Sequence, residues 1–149
     1  MLTPEEKEKR KADRLGKDYI YPWVGFDLDK TLAVYDEFKG EDHIGAPIPK
    51  TVELAKQYLA QGTIVKIFTA RASEPNPTKL VRALAAIAKW SQEVFGTSLP
   101  VTCIKDYGCV RIYDDRAVQI QENTGELMTD VTYIQGFQHG QLHKHIEEV

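Results

Sequence analysis

A chain of 149 residues can bury a core of its own and is expected to form one domain over 1–149. Its apolar fraction of 42% and charged fraction of 28% are those of ordinary water-soluble domains, and a net charge of -3 excludes a global field that would draw it to nucleic acid or anionic membrane. No apolar run reaches membrane-spanning length, the charged start MLTPEEKEKRKADRLG lacks a leader's apolar stretch, and Cys103 and Cys109 match no metal spacing; a cytoplasmic protein with reduced thiols and no membrane contact is expected.

The first predicted element is an exposed helix within residues 1–18, with Thr3 as cap, Pro4 at its first position and Glu6 closing a capping box. Glu5–Lys9 and Glu6–Arg10 are spaced as favourable pairs along it. YPWVGFDL reads as a strand. Residues 33–49, with Gly40, Gly45, Pro47 and Pro49, keep no steady period and predict a loop or short flap. KTVELAKQYLAQG predicts a helix burying Val52, Ala55 and Leu59 and stopping at Gly62. TIVKIFTA predicts a β-branched strand.

NPTKLVRALAAIAKWSQEVFG predicts a long helix capped by Asn76, with Pro77 first and Gly96 after its end. Its stripe Leu80, Leu84, Ile87 and Val94, with Trp90 beside it, reads as core. LPVTCIKD, VRIYDD and AVQI read as short strands or strand-like runs, and 122–149 as a polar tail with room for one helix. Alternating strands and helices imply an α/β fold with a parallel sheet covered on both faces. Ligands of such sheets gather beyond the strands' carboxyl ends.

Those ends carry the chemistry. The first strand runs into Asp27-x-Asp29-x-Thr31, the second ends at Thr69 with Arg71 following, Lys105 follows VTCI, and Asp114-Asp115-Arg116 ends a later strand. Carboxylates crowded into one crevice repel one another, and a bound Mg²⁺ relieves that repulsion. Thr69 and Lys105 add donors suited to phosphate oxygens, so the set describes a phosphoryl-transfer site.

In order, FDLDKT, IFTA, Lys105 and YDDR resemble the four motifs of the haloacid dehalogenase (HAD) superfamily of phosphohydrolases over residues 20 to 121. The stretch from TARASEPNPTKL to YDDRAVQI is similar to the phosphatase domain of bacteriophage polynucleotide kinase. The resemblance implies a Rossmann-like, HAD-type three-layer sandwich. It also implies that Asp27 is the nucleophile of an aspartyl-phosphate mechanism and that Asp29 is the general acid–base, its backbone carbonyl also on the metal. Thr69 would bind the phosphoryl group, Lys105 would bridge phosphate and the Asp27 carboxylate, and Thr31, counted with the substrate-binding residues, would fix the loop that carries both aspartates. Asp114 and Asp115 would complete a Mg²⁺ site, either of them touching the ion directly. Lys30 departs from the family, which often has glycine there.

The resemblance leaves several roles open. Arg71 and Arg116 either hold a substrate phosphate or pair with a nearby aspartate. Lys79, Arg82 and Lys89 form a solvated face or guide a nucleic-acid backbone. His139, His143 and His145 read as surface histidines rather than a second metal site. The 37 residues between Thr31 and Thr69 leave no room for a large cap domain. An uncapped site suits nucleotides or polynucleotide 3′-phosphate ends, or closure by a neighbour in a homo-oligomer. The competing expectations are a non-catalytic relative that binds a phosphorylated ligand and a receiver-like signalling domain.

Overall fold

The computed structural model describes residues 1–16 and 21–128. The chain groups into two compact units, Met1–Tyr113 and Asp114–Val149. Helix α1 (Pro4–Leu15) opens on the expected capping box: the Thr3 hydroxyl accepts from the Glu6 amide at 3.1 Å, and the Glu6 carboxylate accepts from the Thr3 amide at 2.9 Å. With that carboxylate used at the cap, neither Glu6–Arg10 nor Glu5–Lys9 forms an ion pair among the described residues. No described helix is long and apolar enough to cross a membrane.

The first unit continues with β1 (Trp23–Phe26), α2 (Pro49–Ala60), β2 (Ile64–Phe68), a 3-10 turn (Ala70–Ser73), α3 (Pro77–Phe95), β3 (Val101–Thr102) and β4 (Cys109–Tyr113). All sheet pairings are parallel, in the order β3-β2-β1-β4. The result is an α/β, Rossmann-like arrangement of a central sheet flanked by helices. Val24 and Phe26 are in register with Val65 and Ile67, and alternation turns all four to one face. There they join Val52 and Ala55 of α2 and Ile87 and Trp90 of α3 in a single core. Both helices thus pack against that face, as successive crossovers of one hand in the same direction require.

The buried stripe of α3 is Ala83, Ile87, Trp90 and Ser91, rotated from the leucines that periodicity favours. Ser91 is tolerated there because its hydroxyl accepts the Leu99 amide at 3.1 Å. The ends of α3 follow the sequence: Asn76 accepts from the Lys79 amide at 3.1 Å, and Gly96 takes the left-handed conformation at φ 77°.

From β3 the chain returns past β2 and β1 to reach β4 in the six residues 103–108. Three strand spacings and the run back along β4 amount to roughly 20 Å, which uses most of the chain's extended reach. The connection is therefore a strap with no helix. Asp106 fastens it, accepting from the Trp23 indole N–H at 2.8 Å and from the Gly108 amide at 2.8 Å. A bulge between β1 and β4 skips Val110, which is left exposed.

In the second unit the described residues are 114–128. Ile120 and Leu127 form an isolated antiparallel bridge, so AVQI contributes one bridge rather than a strand. The three tail histidines, and the helix expected near them, lie outside the described residues.

Candidate functional site

Because every pairing is parallel, the four strands end on one edge. Phe26 is in register with both Ile67 and Tyr113, and Phe68 with Thr102. Asp27 and Asp114 are each the next residue along the chain. The sheet order also reverses at β1, with β2 on one side and β4 on the other. A strand where the order reverses is where α/β sheets open a crevice.

The turn after β1 is wound around one carbonyl. Leu28 C=O accepts the amides of Thr31, Leu32 and Ala33 at 3.3, 2.9 and 2.9 Å, while Lys30 N–H donates to Ala33 C=O at 2.8 Å. Leu28, Leu32 and Ala33 are buried and anchor the turn to the core. Thr31 is buried too; its hydroxyl donates to the Asp27 carboxylate at 3.4 Å, and its carbonyl accepts from the Thr51 hydroxyl. Lys30 stands at φ 70°, a conformation that costs a residue with a Cβ about 1 kcal/mol and glycine nothing.

Asp27, at the end of β1, extends the ladder by donating its amide to Tyr113 C=O at 2.9 Å. Asp27 and the two aspartates by which the chain leaves β4, Asp114 and Asp115, offer carboxylate oxygens that all lie within 4.8 Å of one another. Oxygens around Mg²⁺ stand at most about 4.2 Å apart, and those around Ca²⁺ about 5 Å. An all-oxygen set gathered within that limit is of the kind that a hard cation takes. Asp114 has a structural task as well: its Oδ1 accepts from the Arg116 amide at 2.7 Å, closing a turn.

Asp29, two residues on, is held differently. Arg71 Nε and Nη2 donate to its two carboxylate oxygens, both at 2.8 Å. The remaining nitrogen, Nη1, donates to the backbone carbonyls of Glu41 and His43 at 3.1 and 2.8 Å. Of the two roles open for Arg71, the structure shows pairing with an aspartate. The loop it grips is fastened elsewhere too: Val34 N–H donates to Ala46 C=O at 2.8 Å and Trp90 Nε1 to Gly45 C=O at 3.0 Å. A Cβ on Gly45 would collide with the Val34 carbonyl, so this closure needs glycine.

Thr69 is buried, and its hydroxyl caps the 3-10 turn by accepting from the Arg71 amide at 3.2 Å. Lys105 is exposed on the strap. Burial pushes the Cys109 thiol up, and the Lys105 charge is among those opposing that rise, which puts its influence at the amino end of β4. Arg116 is exposed, and neither its side chain nor that of Lys105 forms a hydrogen bond or ion pair among the described residues. The structure thus brings Asp27, Thr31, Asp114 and Asp115 together and sets Asp29 with Arg71.

Lys79 and Arg82 each approach Glu41 at 3.9 Å, so these two basic residues of α3 face an acid of the loop. Sequence reading did not single out Glu41, or the aromatic support beneath the strand ends. There Tyr113 stacks on Phe26 at 4.6 Å, and its hydroxyl lies 2.7 Å from that of Tyr58. That bond, followed by one from Arg111 at 3.1 Å, holds Tyr58 below the usual phenol range. Only the i,i+2 spacing of Arg111 and Tyr113 on one strand face hinted at it. No family model matches the chain, and no curated protein matches it either.

Proposed function

We propose that the protein is a Mg²⁺-dependent phosphomonoester hydrolase of the HAD type, with Asp27 as nucleophile. The observation that supports it is the meeting of Asp27, Asp114 and Asp115 at the ends of β1 and β4, where the strand order reverses. When bound, Mg²⁺ supplies a positive charge that lowers the repulsion between carboxylates and phosphate. Asp27, Asp114 and Asp115 would hold it, and the family resemblance adds the Asp29 backbone carbonyl as a further oxygen.

Asp27 attacks phosphorus in line, forming an aspartyl-phosphate as the ester oxygen leaves; water then attacks phosphorus and restores the carboxylate. Thr31 steadies the Asp27 carboxylate through its hydroxyl. Thr69 serves the phosphoryl oxygens; Lys105, whose charge acts at the amino end of β4, joins it only if the strap moves. Asp29 enters the step protonated, delivers that proton to the leaving oxygen and regains one from the attacking water, which requires Arg71 first to release the oxygen that carries it. Phosphoryl oxygens entering the crevice compete for that guanidinium. Nucleotides or polynucleotide 3′-phosphate ends are the substrates that an uncapped site admits.

The same Arg71–Asp29 pair favours a second reading, a non-catalytic HAD-like protein that binds a phosphorylated ligand, because both oxygens of the acid–base residue are occupied. Turnover of an aryl phosphate, with Mg²⁺ and with a chelator, separates the two. Catalysis predicts Mg²⁺-dependent phosphate release, lowered more than about 10³-fold by Asp27→Asn, with the melting temperature moved by no more than about 2 °C. A folded Asp27→Asn protein with near-normal turnover contradicts the covalent mechanism, and no release from aryl or nucleotide phosphates leaves the binding reading.

A further inference from the structure

Lys30 is an unfavourable residue in a required conformation. The turn reverses between Leu28 and Leu32, both fully buried, and the hydrogen bond from Lys30 N–H to Ala33 C=O fixes φ at 70°. Glycine would adopt that conformation without strain. The side chain recovers little in return. It is exposed, and its ammonium stands 5.9 Å from the centroid of the Tyr35 ring, at the outer limit of a cation–π contact. Although Asp27 and Asp29 belong to the same turn, Lys30 forms no ion pair among the described residues.

A strained residue carrying an uncommitted charge, in the turn that builds a site, points to a role in that site. We infer that Lys30 is a specificity-determining residue: its ammonium leaves Tyr35 to engage a second anionic group of the substrate. The ligand class is then a phosphomonoester that carries a further phosphate or phosphodiester near the reacting one. The inference rests on the phosphohydrolase reading and narrows its substrate. Its electrostatic logic is local. Asp27, Asp114 and Asp115 disfavour a polyanion, and a cation on a flexible four-carbon stem in the same turn offsets that repulsion for the remote charge alone.

The test compares wild type, Lys30→Gly and Lys30→Arg on p-nitrophenyl phosphate and on a nucleoside 3′,5′-bisphosphate. The ratio of kcat/KM for the bisphosphate to that for the aryl ester falls about tenfold in Lys30→Gly, through KM, and is restored in Lys30→Arg. The melting temperature of Lys30→Gly rises by about 3 °C as the strain is relieved. An unchanged ratio overturns the inference even if the enzyme is active. If neither substrate turns over, the hydrolase reading fails separately, and ligand-induced melting shifts decide: the bisphosphate must stabilise wild type more than orthophosphate does, and Lys30→Gly must lose the difference. Equal shifts in the two proteins overturn it.

Discussion

On the β1–β2 side of the sheet's carboxyl edge, a carboxylate meets its counter-charge inside the protein: Asp29 has both oxygens taken by Arg71, which also holds two carbonyls of the loop. On the β1–β4 side, Asp27, Asp114 and Asp115 bring carboxylate oxygens within 4.8 Å of one another. Asp27 and Asp29 are separated by one residue of the same turn, so their different surroundings come from what the other strands bring. The first arrangement stabilises the loop. The second brings like charges close together, a repulsion that a bound cation would offset.

The comparison breaks most visibly at Arg71. Arg71→Ala leaves Asp29 without its guanidinium and frees the Glu41 and His43 carbonyls, with an expected loss of about 2 to 3 kcal/mol in unfolding free energy. Hydrogen exchange should show the loop amide of His43, which donates to Gly40 C=O, protected less while those of β1 are unaffected. A loss below about 0.5 kcal/mol would show that the pair is no latch. A smaller effect sits at the strap. The Trp23 indole N–H, ahead of the Gly108 amide, holds the Asp106 carboxyl below its usual range. A lowered carboxylate contributes stability that is present above its unfolded value, about pH 4, and is lost as pH falls through the folded one. The Trp23 indole resonance should therefore shift only below about pH 4, and Asp106→Asn should remove that step.

Much of this architecture is legible in the chain because it is local. Thr3, Asn76 and Gly96 announce helix ends whose orphan amides and carbonyls need partners within four residues. Asp27, Asp29, Asp114 and Asp115 stand at strand ends that a parallel sheet must align. What the chain hides is set by partners distant in sequence. Arg71 fits a phosphate as well as it fits Asp29, and the choice depends on a turn 42 residues away. Lys79 and Arg82 look solvated in the sequence, and only the fold brings Glu41 to 3.9 Å from each. The α3 stripe follows Ala83 and Ser91 because close packing and one hydrogen bond to Leu99 outweigh the larger apolar area of Leu80 and Leu84.

Melting temperature against Mg²⁺ concentration, for wild type and Asp114→Asn, tests the acidic cluster most directly. Asparagine keeps the Oδ1 acceptor used by the Arg116 amide and removes one charge. In chelator, Asp114→Asn should melt at or slightly above wild type; Mg²⁺ should raise wild type by several degrees and leave the variant nearly unmoved. A wild-type protein indifferent to Mg²⁺, or a variant stabilised as much as wild type, would contradict a cation site at the ends of β1 and β4.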